Sequence, residues 1–163
     1  MNRKVYGFTI VELLIVIVVI GILATISIVA YSGVQAQTYI AAVRSDLANN
    51  AKKLEEYKIL NGKYPESQAE FSAARLKFSR ESHRHVAYCV RNNSSGSDWA
   101  IVSRVMPADS GFSLYLTSKG SGESNAAGVW FNNSTVCTAA GLADYTNMLW
   151  VRGSGDWATW LTD

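Results

Sequence analysis

Four sets of side chains in this 163-residue sequence have types and spacings that could do chemistry. The first is one acid, Glu12, in the run Gly7-Phe8-Thr9-Ile10-Val11-Glu12-Leu13-Leu14, which is otherwise almost wholly apolar. A carboxylate in a stretch fit to cross a bilayer is costly and needs a positive partner. A cut between Gly7 and Phe8 would create one. The new amine on Phe8 would lie one helical turn from Glu12, and amine and carboxylate could neutralise each other. The first turn of a helix also favours an anion through the helix dipole. An amine from a neighbouring copy would serve equally and would set the axial offset between parallel helices.

The second set is the only two cysteines, Cys89 and Cys137. Their wide spacing suits neither a paired-cysteine zinc site nor a redox dithiol turn. A structural disulfide fits better if this part of the chain lies outside the cytoplasm, and two unrelated buried thiols are the alternative. The third is His83 and His85, which alternate on a strand-like segment and could face one way. Two ligands without a nearby acid or cysteine are too few for a metal, so a solvated edge is expected and no metal or cofactor is called for. The fourth is a basic cluster, Arg75, Lys77, Arg80, Arg84 and Arg91, with Glu81 as its only acid. It could contact nucleic-acid phosphates, with Tyr88 and Phe78 for stacking, or form a solvated basic face.

The elements that must position these residues follow from charge and period. No charged residue occurs from Leu13 to Val43, and Phe8 to Tyr31 is long enough as a helix, about 36 Å, to cross a bilayer core. The apolar core of a cleaved secretory signal, the competing reading, is shorter, about 7 to 15 residues. Arg3 and Lys4 ahead of the run predict a cytoplasmic N-terminus with the rest outside. Without those two residues the chain carries 13 basic and 13 acidic side chains, so bulk charge implies no partner. Beyond the span, Ala36, Ile40, Val43, Leu47, Ala51, Leu54 and Tyr57 recur at spacings of three and four, which extends the helix as an amphipathic half. Asn61-Gly62 and Pro65 stop it near residue 60.

The period then changes to two. A weakly helical stretch, Glu66 to Lys77, precedes strands at His85 to Arg91, Trp99 to Met106 and Phe112 to Thr117. Asn92 to Asp98 and Pro107 to Gly111 are expected as the turns between them. Val129 to Phe131 and Met148 to Val151 are further short strands. Of Trp99, Trp130, Trp150, Trp157 and Trp160, most are expected in the core, with one or two of the C-terminal set exposed. Asn92, Asn93, Asn132 and Asn133 open N-x-[ST] patterns that read as turns more readily than as sugar sites. No nucleophile elbow, phosphate loop or paired-histidine zinc helix is present, which argues against an enzyme.

The leader, Phe8, Glu12, Gly21 and Tyr31, together with Asn61-Gly62-Lys63-Tyr64-Pro65, resemble the type IV pilin family. That resemblance implies removal of the leader after Gly7 by a prepilin peptidase and N-methylation of Phe8. It also implies an assembly role for Glu12, and a Cys89–Cys137 bridge tying down the C-terminal region. Many family members have a proline where this chain has Val29, which puts a kink there in doubt and leaves Gly21 as the weak point of the helix. The expected fold is α+β. A leader (1–7), a membrane or filament-core half-helix (8–31) and an amphipathic half-helix (32–60) precede an antiparallel β head (61–163). The expected protein is a non-catalytic pilus subunit for adhesion, motility or DNA uptake. Its partners would be copies of itself, the peptidase, the assembly machinery and, before assembly, membrane lipid. It would be a single-pass cytoplasmic-membrane protein with its N-terminus inside first, and part of an extracellular pilus after assembly. A pseudopilin of a type II secretion system is the alternative, which a calcium site among Asp144, Asp156 and Asp163 would favour.

Overall fold

A charge-free apolar run followed by a three-and-four repeat leaves the chain little choice but a long helix, and α1 spans Ile10–Asn61. The computed structural model describes residues 7–94, 96–106, 113–124 and 135–152. The chain forms two units, Met1–Gln37 and Thr38–Asp163.

In the first unit the apolar side chains of α1 are exposed, among them Ile10, Leu13, Ile17, Ile20 and Leu23. Two hydroxyls in this stretch are turned back onto the helix, Thr25 Oγ1 donating to the Gly21 carbonyl at 2.9 Å and Ser27 Oγ to that of Leu23 at 2.8 Å. Such back-bonding removes their donors from the surface and leaves the face apolar. The backbone is helical through Val29, whose side chain lies outside the described residues, as do Arg3 and Lys4.

In the second unit α1 ends where the sequence predicts. Gly62 adopts φ +75°, the left-handed conformation glycine enters without strain, and its amide bonds to the Lys58 carbonyl at 2.8 Å. The weakly helical stretch becomes α2, Gln68–Ala73, opened by a Ser67/Glu70 capping box. Strands β1 (His83–Asn93), β2 (Gly96–Val105), β3 (Ser113–Thr117) and β4 (Gly120–Ser124) follow as an antiparallel meander. A short helix α3 (Thr135–Ala139) leads to β5 (Asn147–Arg152), which pairs antiparallel with β1, so the sheet order is β4-β3-β2-β1-β5.

The sheet is covered on both faces. Val86, Tyr88, Val90, Trp99 and Ile101 pack with Val43, Leu47 and Leu54 of α1 and with Phe71 of α2. On the reverse face Ala87, Cys89, Ala100 and Val102 pack with Val136, Cys137, Ala140 and Leu142. Small residues there let α3 approach closely enough for the Cys89–Cys137 disulfide, with Cα atoms 5.8 Å apart.

Two sequence expectations change here. The polar run Asn92 to Asp98 is mostly strand, since Arg91 pairs with Asp98 and Asn92 with Ser97, leaving a tight turn at Ser94. Asn92 is also engaged by its amide, whose Nδ2 donates to the Tyr64 carbonyl at 2.9 Å. Strand β4, Gly-Ser-Gly-Glu-Ser, was not expected, because it has no apolar alternation. It holds by register with β3, where Tyr115 lies so close over Gly122 that a Cβ there would sit 2.2 Å from the tyrosine oxygen. The turn Pro107 to Gly111, the strand Val129 to Phe131, and Trp130, Trp157, Trp160, Asn132, Asn133, Asp156 and Asp163 lie outside the described residues.

Candidate assembly site

The start of α1 is a Thr-x-x-Glu capping box. Thr9 Oγ1 accepts from the Glu12 amide at 3.2 Å, while Glu12 Oε2 accepts from the Thr9 amide and the Thr9 hydroxyl, each at 2.8 Å. The arrangement satisfies donors that a helix N-terminus otherwise leaves unpaired, and it fixes the rotamer of the acid. Oε1 makes no hydrogen bond among the described residues. Phe8 and Ile10 are 87% and 85% exposed, so nothing among the described residues covers this end of the helix. Thr9 is a residue that the sequence expectations leave out, although the S/T-x-x-E pattern makes its role legible. Gly7 and Phe8 stand just ahead of the box.

The disulfide expected of Cys89 and Cys137 is present. The histidines are not a solvated pair. His83 is fully buried, its Nε2 2.8 Å from Asp46 Oδ2 on α1 and its Nδ1 2.6 Å from Ser103 Oγ on β2. A bulge between His83 and His85 breaks the expected alternation, and His85 is half-buried. Burial pushes the Asp46 carboxyl up, but hydrogen bonds from His83 and from the Ser79 amide, at 2.6 Å, outweigh it and hold it below the usual range. Although the residue types are those of a hydrolytic triad, Ser103 is fully buried and out of reach of a substrate. The three side chains interlock α1, β1 and β2. Among the described residues no group of three or more metal-ligating side chains occurs.

The basic cluster divides. Arg75, Lys77, Arg80 and Arg84 are exposed. Arg91 leaves the group, its Nη1 meeting both oxygens of Asp144 at 2.7 and 2.6 Å and its Nη2 bonding Asp98. Asp98 also accepts from Ser118 Oγ at 2.7 Å, and Lys119 Nζ stands 3.2 Å away. Asp144, considered for calcium, is thus half of an ion pair. Trp99 is buried as expected, and its Nε1 shares Glu55 Oε1 with the Tyr64 hydroxyl, both at 2.9 Å.

A capped N-terminal helix of 52 residues followed by a five-stranded antiparallel sheet defines an α+β, pilin-like subunit. The profile of the prokaryotic N-terminal methylation motif matches residues 2–28. Two curated relatives, both described as type IV major pilin protein PilE1 of Neisseria gonorrhoeae, are 32% identical over 74 residues. That match covers 45% of this chain and 45% and 41% of the relatives, so the chain spans less than half the length of the proteins it matches. Motif, fold and relatives together support a type IV pilin.

Proposed function

We propose that the chain is a structural, non-catalytic subunit of a type IV pilus, cut after Gly7 by a prepilin peptidase, methylated on Phe8 and assembled with copies of itself. One observation carries this reading: a stretch of helix exposed on every side and almost wholly apolar, headed by a carboxylate that its own Thr9 holds in place. Of the described helices, α1 alone is long and apolar enough to cross a membrane. In the precursor, lipid would cover that surface. In a filament neighbouring helices would, so apolar burial is conserved on extraction and packing decides the association. Glu12 is then the exception that needs a positive partner, and the amine released at Phe8 supplies it once the leader is cut. Assembly would take its energy and platform from dedicated machinery, since the sequence has no nucleotide-binding motif.

N-terminal sequencing of the mature protein tests the processing step: it should begin at Phe8 with a methylated amine. Retention of Met1, or a start deep in the apolar run, would contradict the reading. Confinement of the assembled product to a short periplasmic fibre would instead favour the pseudopilin.

A further inference from the structure

The last turn of α1 is held by hydrogen bonds and not by packing. Tyr57 packs against the core and Lys58 Nζ lies 4.5 Å over the Tyr64 ring, so the helix is anchored up to that point. Ile59 and Leu60 are 83% and 75% exposed, and a side chain added at Gly62 would meet nothing within 4 Å. The chain is anchored again at Lys63, paired with Glu66 and Glu70, and at Tyr64, whose carbonyl accepts from Asn92. Between these anchors stands an Asn-Gly pair, Asn61-Gly62, exposed at both residues.

An Asn-Gly pair carries its own chemistry. The Gly62 amide nitrogen, unshielded because glycine has no side chain, can attack the side-chain carbonyl carbon of Asn61. A C–N bond forms, Nδ2 leaves as ammonia with the amide proton, and a succinimide ring results. Water then opens the ring at either carbonyl, its hydroxyl completing a carboxyl group and its proton returning to nitrogen, which gives aspartate or isoaspartate in place of asparagine. In the folded chain both reacting groups are engaged elsewhere. Asn61 Nδ2 donates to the Tyr57 carbonyl at 2.9 Å, and the Gly62 amide donates to the Lys58 carbonyl at 2.8 Å. Both bonds point back along the helix, and the helical backbone at Asn61 turns the Gly62 nitrogen away from the side chain it must reach.

We propose that Asn61-Gly62 is a site of non-enzymatic deamidation, closed by the folded end of α1 and reactive only in molecules whose last turn has unwound. No burial of Ile59 or Leu60 opposes that opening, so it takes far less than unfolding of the head. The product does not re-form the cap. A carboxylate only accepts hydrogen bonds, so the bond to the Tyr57 carbonyl is lost, and the helix dipole opposes an anion at a helix C-terminus. Isoaspartate adds a backbone carbon and upsets the spacing that brings the Gly62 amide to Lys58. Each event therefore leaves the turn between Lys58 and Lys63 charged and open. The inference rests on the fold around this turn and on neither processing nor assembly.

The test follows Asn61 in the full chain in detergent at mildly alkaline pH, beside the same chain unfolded in urea. Trypsin releases Ile59 to Lys63 as one peptide, and chromatography with mass spectrometry separates its asparagine, aspartate and isoaspartate forms. Digestion in water carrying heavy oxygen marks any conversion made during handling. The unfolded chain should give both products. With each hydrogen bond worth roughly a factor of five, the folded chain should react roughly 25-fold more slowly. Leu60→Gly weakens the last turn without touching the reacting pair or any buried side chain. It should speed the folded chain about fourfold and leave the unfolded rate unchanged. Lys52→Gly, the same kind of change at an exposed position within the anchored part of the helix, should leave both rates unchanged. No product from the unfolded chain, aspartate without isoaspartate, or equal rates folded and unfolded would overturn the proposal. So would an unchanged rate in Leu60→Gly, or an equal acceleration by Lys52→Gly, which would place the reaction in globally unfolded molecules.

Discussion

Glu12 Oε2 accepts two hydrogen bonds from Thr9, one from its amide and one from its hydroxyl, both 2.8 Å long. The acid is therefore already oriented within its own chain, and an assembling partner meets a fixed carboxylate rather than a mobile one. Glu12→Val should leave insertion and removal of the leader unaffected and reduce filament yield severely. Thr9→Val removes the hydroxyl but keeps the amide donor, so it should lower yield to an intermediate level. Sheared-filament quantification beside immunoblots of the processed subunit separates assembly from processing. Equal yields in all three proteins would deny Glu12 its role.

The disulfide closes a loop with a sequence separation of 48 between β1 and α3. By the chain-entropy estimate its loss costs about 4 kcal/mol. The double variant Cys89→Ser, Cys137→Ser should therefore melt well below the native chain, followed through the fluorescence of buried Trp99 in detergent. An unchanged midpoint would show that α3 is held by packing alone.

Acid should loosen the head through two carboxyls. The Glu66 amide and the Lys63 ammonium, 2.9 Å away, hold Glu70 at about 2, and Asp46 is likewise held low on balance. Groups whose folded pKa is depressed contribute stability above their unfolded pKa, and that contribution disappears as pH falls through the folded value. Stability should be level near neutrality and decline from about pH 4.5 toward 2. Asp46→Ala should cost about 1.5 to 3 kcal/mol near neutral pH, because it strips a charged acceptor from buried His83 and from the Ser79 amide. It should also flatten the acid limb of a stability profile. A variant as stable and as acid-sensitive as the native chain would contradict the interlock.

Gly122 has no room for a side chain, with the Tyr115 ring and hydroxyl over it. Gly122→Val should cost about 1 to 3 kcal/mol by displacing Tyr115. Adding Tyr115→Ala to it should recover part of that loss, as residues in contact do not act additively. Purely additive effects in a thermal-melt double-mutant cycle would mean the contact is not formed.

What the sequence disclosed depended on whether the cause was local. The charge-free run and the three-and-four repeat announce α1, and Asn61-Gly62 ends it within a residue of expectation. Alternation announces β1, β2 and β3, Met148 to Val151 is expected as a further short strand where β5 forms, and external topology points to the disulfide. Strand β4 was hidden because glycine and serine carry no period, and its pairing is imposed by β3. Polar composition disguised Asn92 to Asp98 as a loop, although the hairpin holds Asn92 half-buried and bonded to Tyr64. His83 reads as a solvated edge because its partner, Asp46, is 37 residues away in sequence, and the role of Asn50 is illegible for the same reason, its partner being the Lys77 backbone 27 residues on. Arg91 looked like part of a basic run until the fold brought Asp98 and Asp144 to it.

Electron microscopy of cells bearing an epitope in the head, stained with gold against that epitope, addresses the proposed filament most directly. The account predicts gold along the whole length of surface fibres, present with native Glu12 and scarce with Glu12→Val. Label confined to the cell envelope, or fibres that carry none, would contradict it.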